Sequence, residues 1–216
     1  MITEIVPTIL TADFSEIVEK VKEIESFVPR LQVDILDGKF AANRTVSLEA
    51  LAGFDFKTRV DFHLMVKDPQ EWVDRALLAI PDRIIGQVEM MSDPTAFINK
   101  VIDSGVEVGI ALDLPTPVEA VAEEIYCLAN MVLILAAKAG FSGQEFDKQA
   151  LTKIQKVREI VGNAVGIGVD CGLNEKNIPL CQKAGANVFC VSSTFWSAED
   201  LAKRYNELLV LITKGD

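Results

Sequence analysis

Two aspartates and a histidine, Asp34, Asp170 and His63, are the residues of this 216-residue chain whose types suit acid/base chemistry or metal binding. Asp34 stands in LQVDILDGKF, residues 31–40, among Val33, Ile35 and Leu36. On a strand, alternation sends Gln32, Asp34 and Leu36 to one face and Val33, Ile35 and Asp37 to the other. An unpaired carboxylate in such surroundings is costly or takes up a proton, so Asp34 needs a partner or a chemical role. His63, in VDFHLMV, is the only histidine, and alternation groups it with Asp61 and Met65. A lone histidine on a strand commonly reads as a hydrogen-bonded core residue, but a neighbouring strand carrying Asp34 turns the reading toward function.

Asp170 closes the run AVGIGVD. Two carboxylates flanking a substrate serve as acid and base when their surroundings keep one protonated and the other ionised. Such a pair can take a proton from one face of a carbon and return one to the other. Singly, each aspartate reads equally as a cap for a following loop or helix; together they read as chemistry. Asp34, His63 and Asp170 also form a mixed oxygen and nitrogen set able to hold a divalent cation, with a fourth ligand expected nearby. Gln32, on the same strand face as Asp34, is the obvious neighbour, although an amide oxygen is a weaker ligand than imidazole.

The elements that must position these groups recur evenly. Eight β-rich apolar runs, EIVPTIL, LQVDIL, RVDFHLM, RIIGQVE, VEVGIAL, MVLILAA, AVGIGVD and ANVFCVS, alternate with helical segments. DFSEIVEKVKEIESF places Phe14, Ile17, Val21 and Ile24 on one stripe. DPQEWVDRALLAI and DPTAFINKVI each open with Asp-Pro, which suits an N-cap followed by proline at the first helical position. QEFDKQALTKIQKVREIV is amphipathic, SAEDLAKRYNELLVLI begins with a serine cap, and TVSLEALAGF holds only a short turn. Alternation of this kind implies parallel strands with crossover helices. Eight units in this length predict a single-domain (β/α)8 TIM barrel over residues 1–216, with an open doubly wound sheet as the alternative. No interdomain linker is evident.

In such a barrel the active site lies at the C-terminal ends of the strands. Asp34, His63, Glu89, Asp113, Asp170, Ser192 and Ser193 all come late in their runs, which concentrates polar chemistry at one rim. The sixth loop KAGFSGQ, the turn CGL after Asp170 and the eighth strand end VSSTF supply small residues and free N–H groups of the kind that bind phosphate.

A formal net charge of −11 argues against a nucleic-acid surface and against binding to anionic membranes. The apolar runs are too short to cross a bilayer, and MITEIVPTIL lacks the basic head of a signal peptide. The expectation is a soluble, cytoplasmic protein. Cys127, Cys171, Cys181 and Cys190 show no CxxC pair or zinc-type spacing, and read as reduced thiols.

With these residues in hand, the chain resembles the ribulose-phosphate 3-epimerases, a phosphate-binding TIM-barrel family. The similarity runs in order through PTILTADFSEI, VDILDGKF, FHLMVKDPQEWV, GIALDLPTPVEAV, AGFSGQEF and GVDCGLNEKNIPLCQKAGANVFCVSSTFW. The resemblance implies Asp34 and Asp170 as the acid/base pair, both binding a divalent cation (Zn, Fe, Mn or Co) with His63, and a cis-enediolate formed when the proton leaves C3 of a ketopentose 5-phosphate. It further implies substrate contacts by Thr8, His63 and Met65, and substrate or phosphate turns at Gly140, Phe141, Ser142, Gly143, Cys171, Gly172, Ser192 and Ser193. A small-molecule sugar phosphate and a homo-oligomer are the partners it implies.

The chain also departs from the family. Gln32 and Gln87 stand where the family has histidines, Leu36 and Leu135 replace methionines, KAGFSGQ lacks a proline and a glycine, DCG replaces DGG, and Ser192 replaces a glycine. These changes leave open altered metal affinity, another ketose phosphate, or a non-catalytic sugar-phosphate-binding barrel. A decarboxylase of the Asp-x-Lys-x-x-Asp type ranks last, because Lys39 follows Asp37 in the wrong order.

Overall fold

A computed structural model describes residues 3–141 and 143–213. Eight parallel strands, β1 Glu4–Ile9, β2 Arg30–Leu36, β3 Arg59–Met65, β4 Arg83–Gln87, β5 Glu107–Leu112, β6 Met131–Leu135, β7 Gly166–Asp170 and β8 Val188–Val191, pair in sequence order. Pairing of Pro7 with Val191 returns β8 to β1, so the sheet is a closed barrel, not the open alternative. The strands read as near-continuous apolar runs because both faces are covered, by helices outside and by side chains inside. Ile5, Val33, Phe62, Ile84, Val108 and Ile134 belong to the outer core, packed with helical residues such as Ile17, Phe97 and Ile154. Each such side chain, fully buried, contributes about 1.5–3 kcal/mol.

The alternate residues Val6, Met65, Ile85, Ala111, Leu133, Val188 and Cys190 form a second cluster. Gly168 makes room in it: a Cβ there would lie 2.8 Å from Leu133 Cδ1. Near the N-terminal ends of the strands, Arg30 and Arg83 both grip the buried Asp61, Arg83 Nη1 at 3.0 Å, and Arg83 also reaches Glu107 at 2.6 Å. Burial raises the Asp61 carboxyl above its ordinary range against the pull of both guanidiniums. This charged plug leaves the opposite rim as the open end.

The helices are α1 Phe14–Ile24, α2 Leu48–Leu51, α3 Val73–Ala76, α4 Pro94–Asp103, α5 Glu123–Leu128, α6 Gln149–Val161, α7 Ile178–Ala184, α8 Ser193–Trp196 and α9 Leu201–Thr213. Three differ from expectation. Asp93 caps α4 through Ala96 N at 3.0 Å, but Asp68 adopts φ +48° without a side-chain cap, and residues 69–79 break into 3-10 turns around the single turn α3. The α6 segment becomes helical only at Gln149, where Asp147 Oδ1 accepts the backbone N–H at 2.8 Å. In α9, Asp200 accepts from Lys203 N in the capping role expected of Ser197, and α8 precedes it as a separate turn. Among the described residues no helix is long and apolar enough to cross a membrane.

Candidate active site

The strand register sets the site. Asp34 on β2 pairs with His63 on β3, and Thr8 on β1 pairs with Gln32, so β1 to β3 bring a hydroxyl, an amide, a carboxylate and an imidazole to one level. Asp170 ends β7 and pairs with Leu135. One ligand atom from each of Asp34, His63 and Asp170 lies within 4.8 Å of the others, and all three residues are buried. Buried oxygen and nitrogen donors so close, two of them carboxylate, fit a divalent cation.

Gln32, fully buried, links the two carboxylates. Its Nε2 donates to Asp34 Oδ1 at 2.9 Å and to Asp170 Oδ2 at 2.8 Å, while its Oε1 faces the Cys190 thiol at 3.4 Å. The amide therefore presents the pair with N–H groups, and its oxygen, the atom expected to ligate, points to Cys190. His63 Nδ1 lies 3.2 Å from Asp34 Oδ1, and its Nε2 lies 3.0 Å from Gln87 Oε1. Gln87 Nε2 donates to Glu89 Oε2 at 3.0 Å, and Glu89 Oε1 accepts from Asp113 N at 2.8 Å.

The electrostatics follow from burial and like charge. Desolvation, reinforced by Asp34, pushes the Asp170 carboxyl up to about 7, against the pull of His63, Gln32 and the Cys171 N–H. Burial alone would lower His63, but its hydrogen bond to Asp34 and the charges of both aspartates hold it above its ordinary value. Burial and the same carboxylates drive the Cys171 thiol well above its usual range, which leaves it a poor nucleophile.

A pocket at this rim is lined by Thr8, Asp34, His63, Met65, Gly140, Phe141, Gly143, Asp170, Cys171, Gly172, Ser192 and Ser193, all expected from sequence. Ser142 lies outside the described residues. Gln32 is not in the wall; it sits behind the carboxylates. Leu10, Gln144, Leu173 and Cys190 complete the lining, and sequence reasoning did not single them out. Cys190 had one usable signal, its alternation with Val188 on the inner face of β8.

Two backbone features shape the wall. Cys171 has φ +75°, a left-handed conformation that favours glycine. Gly172 has φ +69°, and a Cβ there would stand 2.5 Å from Phe146 N, so the turn after β7 can pass the Gln144–Phe146 segment only with glycine at that position. Thr8 Oγ1 is buried and has no hydrogen-bond partner. Asp37, by contrast, is used locally: it accepts from Lys39 N at 2.8 Å and from Lys67 N at 3.0 Å, as a loop-capping residue would.

Comparisons with known proteins agree with this arrangement. The chain is 31% identical over 194 residues to the ribulose-phosphate 3-epimerase of Rhodobacter capsulatus, covering 88% of this chain and 84% of that protein. It is 28% identical to the enzyme of the same name from Bacillus subtilis, covering 95% and 97%. Among solved structures, thiamine phosphate pyrophosphorylase from Pyrococcus furiosus (TM-score 0.63, 20% identity, covering 98% and 95%) and orotidine 5'-phosphate decarboxylase from Pyrococcus horikoshii (TM-score 0.66, 11% identity, covering 97% and 99%) share the fold. Residues 4–196 match the sequence model of the ribulose-phosphate 3 epimerase family, and with the relatives above this shows that the chain belongs to that family of carbohydrate epimerases.

Proposed function

We propose that this protein inverts C3 of D-ribulose 5-phosphate to give D-xylulose 5-phosphate, with Asp34 and Asp170 as its two acid/base groups. The observation that carries the reading is the carboxylate pair itself, from β2 and β7 of one barrel mouth, tied through one amide, with Asp170 pushed up to about 7. A carboxyl with that value is part protonated near neutral pH, so it can accept or deliver a proton there without a large driving force against it.

One aspartate removes the C3 proton, which leaves a planar enediolate on the sugar. The other delivers a proton to the opposite face, and the stereochemistry at C3 inverts. Asp34, His63 and Asp170 would hold the divalent cation. When bound, it would supply positive charge to offset the negative charge that builds on the sugar oxygens. Thr8 Oγ1, with no partner in the protein, would meet a substrate oxygen. Met65 and Leu135 would press on the planar intermediate and exclude water. Backbone and hydroxyl groups of Gly143, Gly172, Ser192 and Ser193 would receive the phosphate.

Conversion of D-ribulose 5-phosphate to its C3 epimer tests the reading. General acid/base groups contribute about 10²–10⁴-fold each, so Asp34→Asn and Asp170→Asn should each lower kcat by at least about 100-fold. Turnover retained in both variants would refute the assignment. Absence of turnover in the wild type on ribulose 5-phosphate, with turnover on a hexulose phosphate, would move the substrate and keep the chemistry.

A further inference from the structure

We propose that Gln87, oriented by Glu89, is a positioning residue that holds the proton of neutral His63 on Nε2, and so keeps the Nδ1 lone pair turned toward Asp34 and the carboxylate pair. Donors and acceptors are fixed one after another from the backbone to the ring. Asp113 N can only donate, and it donates to Glu89 Oε1 at 2.8 Å. The other oxygen of that carboxylate, Oε2, accepts from Gln87 at 3.0 Å, and a carboxylate can receive only the amide nitrogen. This places Gln87 Oε1, an acceptor, 3.0 Å from His63 Nε2. An acceptor there demands a proton on Nε2.

Both side chains are fully buried, so water does not offer a substitute partner. With Nε2 committed, the neutral ring has one lone pair, on Nδ1, 3.2 Å from Asp34 Oδ1. Two acceptors at that distance repel unless a proton or a metal cation lies between them. A side chain that donates to the remaining nitrogen of a metal-facing histidine, or accepts from it, fixes which tautomer the ring adopts. Here that partner is an amide, and its direction is imposed by Glu89 from two residues farther along the chain.

The consequence for the site rests on the functional reading above, but the tautomer does not, and it can be read without substrate or turnover. His63 is the only histidine, so its two ring nitrogens give unambiguous signals in a protein labelled with nitrogen-15 histidine. Long-range proton–nitrogen correlation spectra would be recorded on the metal-free protein at the alkaline end of the titration, where the ring carries one proton. The expected result is a protonated Nε2 and a bare Nδ1. A proton on Nδ1 in the wild type would overturn the proposal outright, with no variant needed.

Gln87→Leu removes the acceptor and should shift part or all of the neutral ring to the Nδ1-protonated form, in which it donates to Asp34. Gln87→Glu keeps an acceptor facing the ring and should retain the Nε2-protonated form. Should Gln87→Leu fail to fold, Glu89→Gln offers Gln87 a partner that no longer dictates the direction of its amide, and the Nε2-protonated fraction should fall. An unchanged spectrum in the folded variants would show that Gln87 does not set the tautomer. Failure of the protein to epimerise ribulose 5-phosphate would leave all of these spectra interpretable.

Discussion

Gln32 Nε2 lies 2.8 Å from Asp170 Oδ2, a bond from β2 to β7 that joins residues 138 positions apart, and the same nitrogen reaches Asp34 Oδ1 at 2.9 Å. Two buried carboxylates repel, and a neutral amide that donates to both offsets the repulsion without adding charge. Gln32 is thus placed to hold the pair together as a donor. Gln32→Leu should destabilise the metal-free protein by about 2–4 kcal/mol, as two hydrogen bonds to ionisable groups are lost. It should change the affinity for Zn²⁺, read by competition with a chromophoric chelator, by less than about threefold. Gln32→His should raise that affinity by about tenfold or more, since imidazole is the better ligand. A loss of affinity of about tenfold in Gln32→Leu would mean that the amide turns and ligates through its oxygen.

Stability of the metal-free protein should fall as pH rises from about 5 to about 9. Asp170, at about 7 in the fold against an ordinary 3.8, binds more protons folded than unfolded between those values, so its contribution is full below about 4 and lost as pH rises through about 7. His63, raised above its ordinary 6.5, contributes fully below that value, and the contribution is lost as pH rises through the higher folded value. Both act in the same direction, and a tenfold gain in a group's proton affinity on folding is worth about 1.4 kcal/mol. Urea denaturation across this range should show a decline of a few kcal/mol. Asp170→Asn should flatten the part between about pH 4 and 7, and a wild-type curve that rises with pH would contradict the assignment.

Thr8 separates binding from folding. Its hydroxyl is buried without a partner, while its backbone carbonyl accepts from Trp196 Nε1 at 2.8 Å whatever the side chain. Thr8→Val should therefore leave the urea midpoint unchanged or slightly higher, because no protein hydrogen bond is broken. The same change should lower kcat/KM by about tenfold, the worth of one hydrogen bond to substrate. A large loss of stability would show that the hydroxyl has a structural partner.

The barrel was legible because eight β-rich runs alternate with helical segments, and Asp34, His63 and Asp170 were legible because each is polar and late in an apolar strand. What one sequence hid is direction and distance. An amide at position 32 reads equally as a metal ligand or as a donor, and only contacts with Cys190, Asp34 and Asp170, far apart in the chain, decide which end faces the pair. The plug of Arg30, Asp61 and Arg83 was hidden for the same reason, since each residue alone reads as an ordinary charge at a strand end. At Asp68 the Asp-Pro signal was correct in residue type, but the backbone takes a left-handed turn there, and the local pattern carries no mark of it.

The most direct test of the two-aspartate account is solvent exchange at C3. The protein, loaded with a divalent cation, would be incubated with D-ribulose 5-phosphate in D2O, and deuterium at C3 followed together with formation of xylulose 5-phosphate. The account predicts deuterium in the epimerised product with the wild type, and neither exchange nor epimer, at the same enzyme concentration, with Asp34→Asn or Asp170→Asn. Epimer formed without deuterium at C3, or undiminished exchange in both variants, would contradict it.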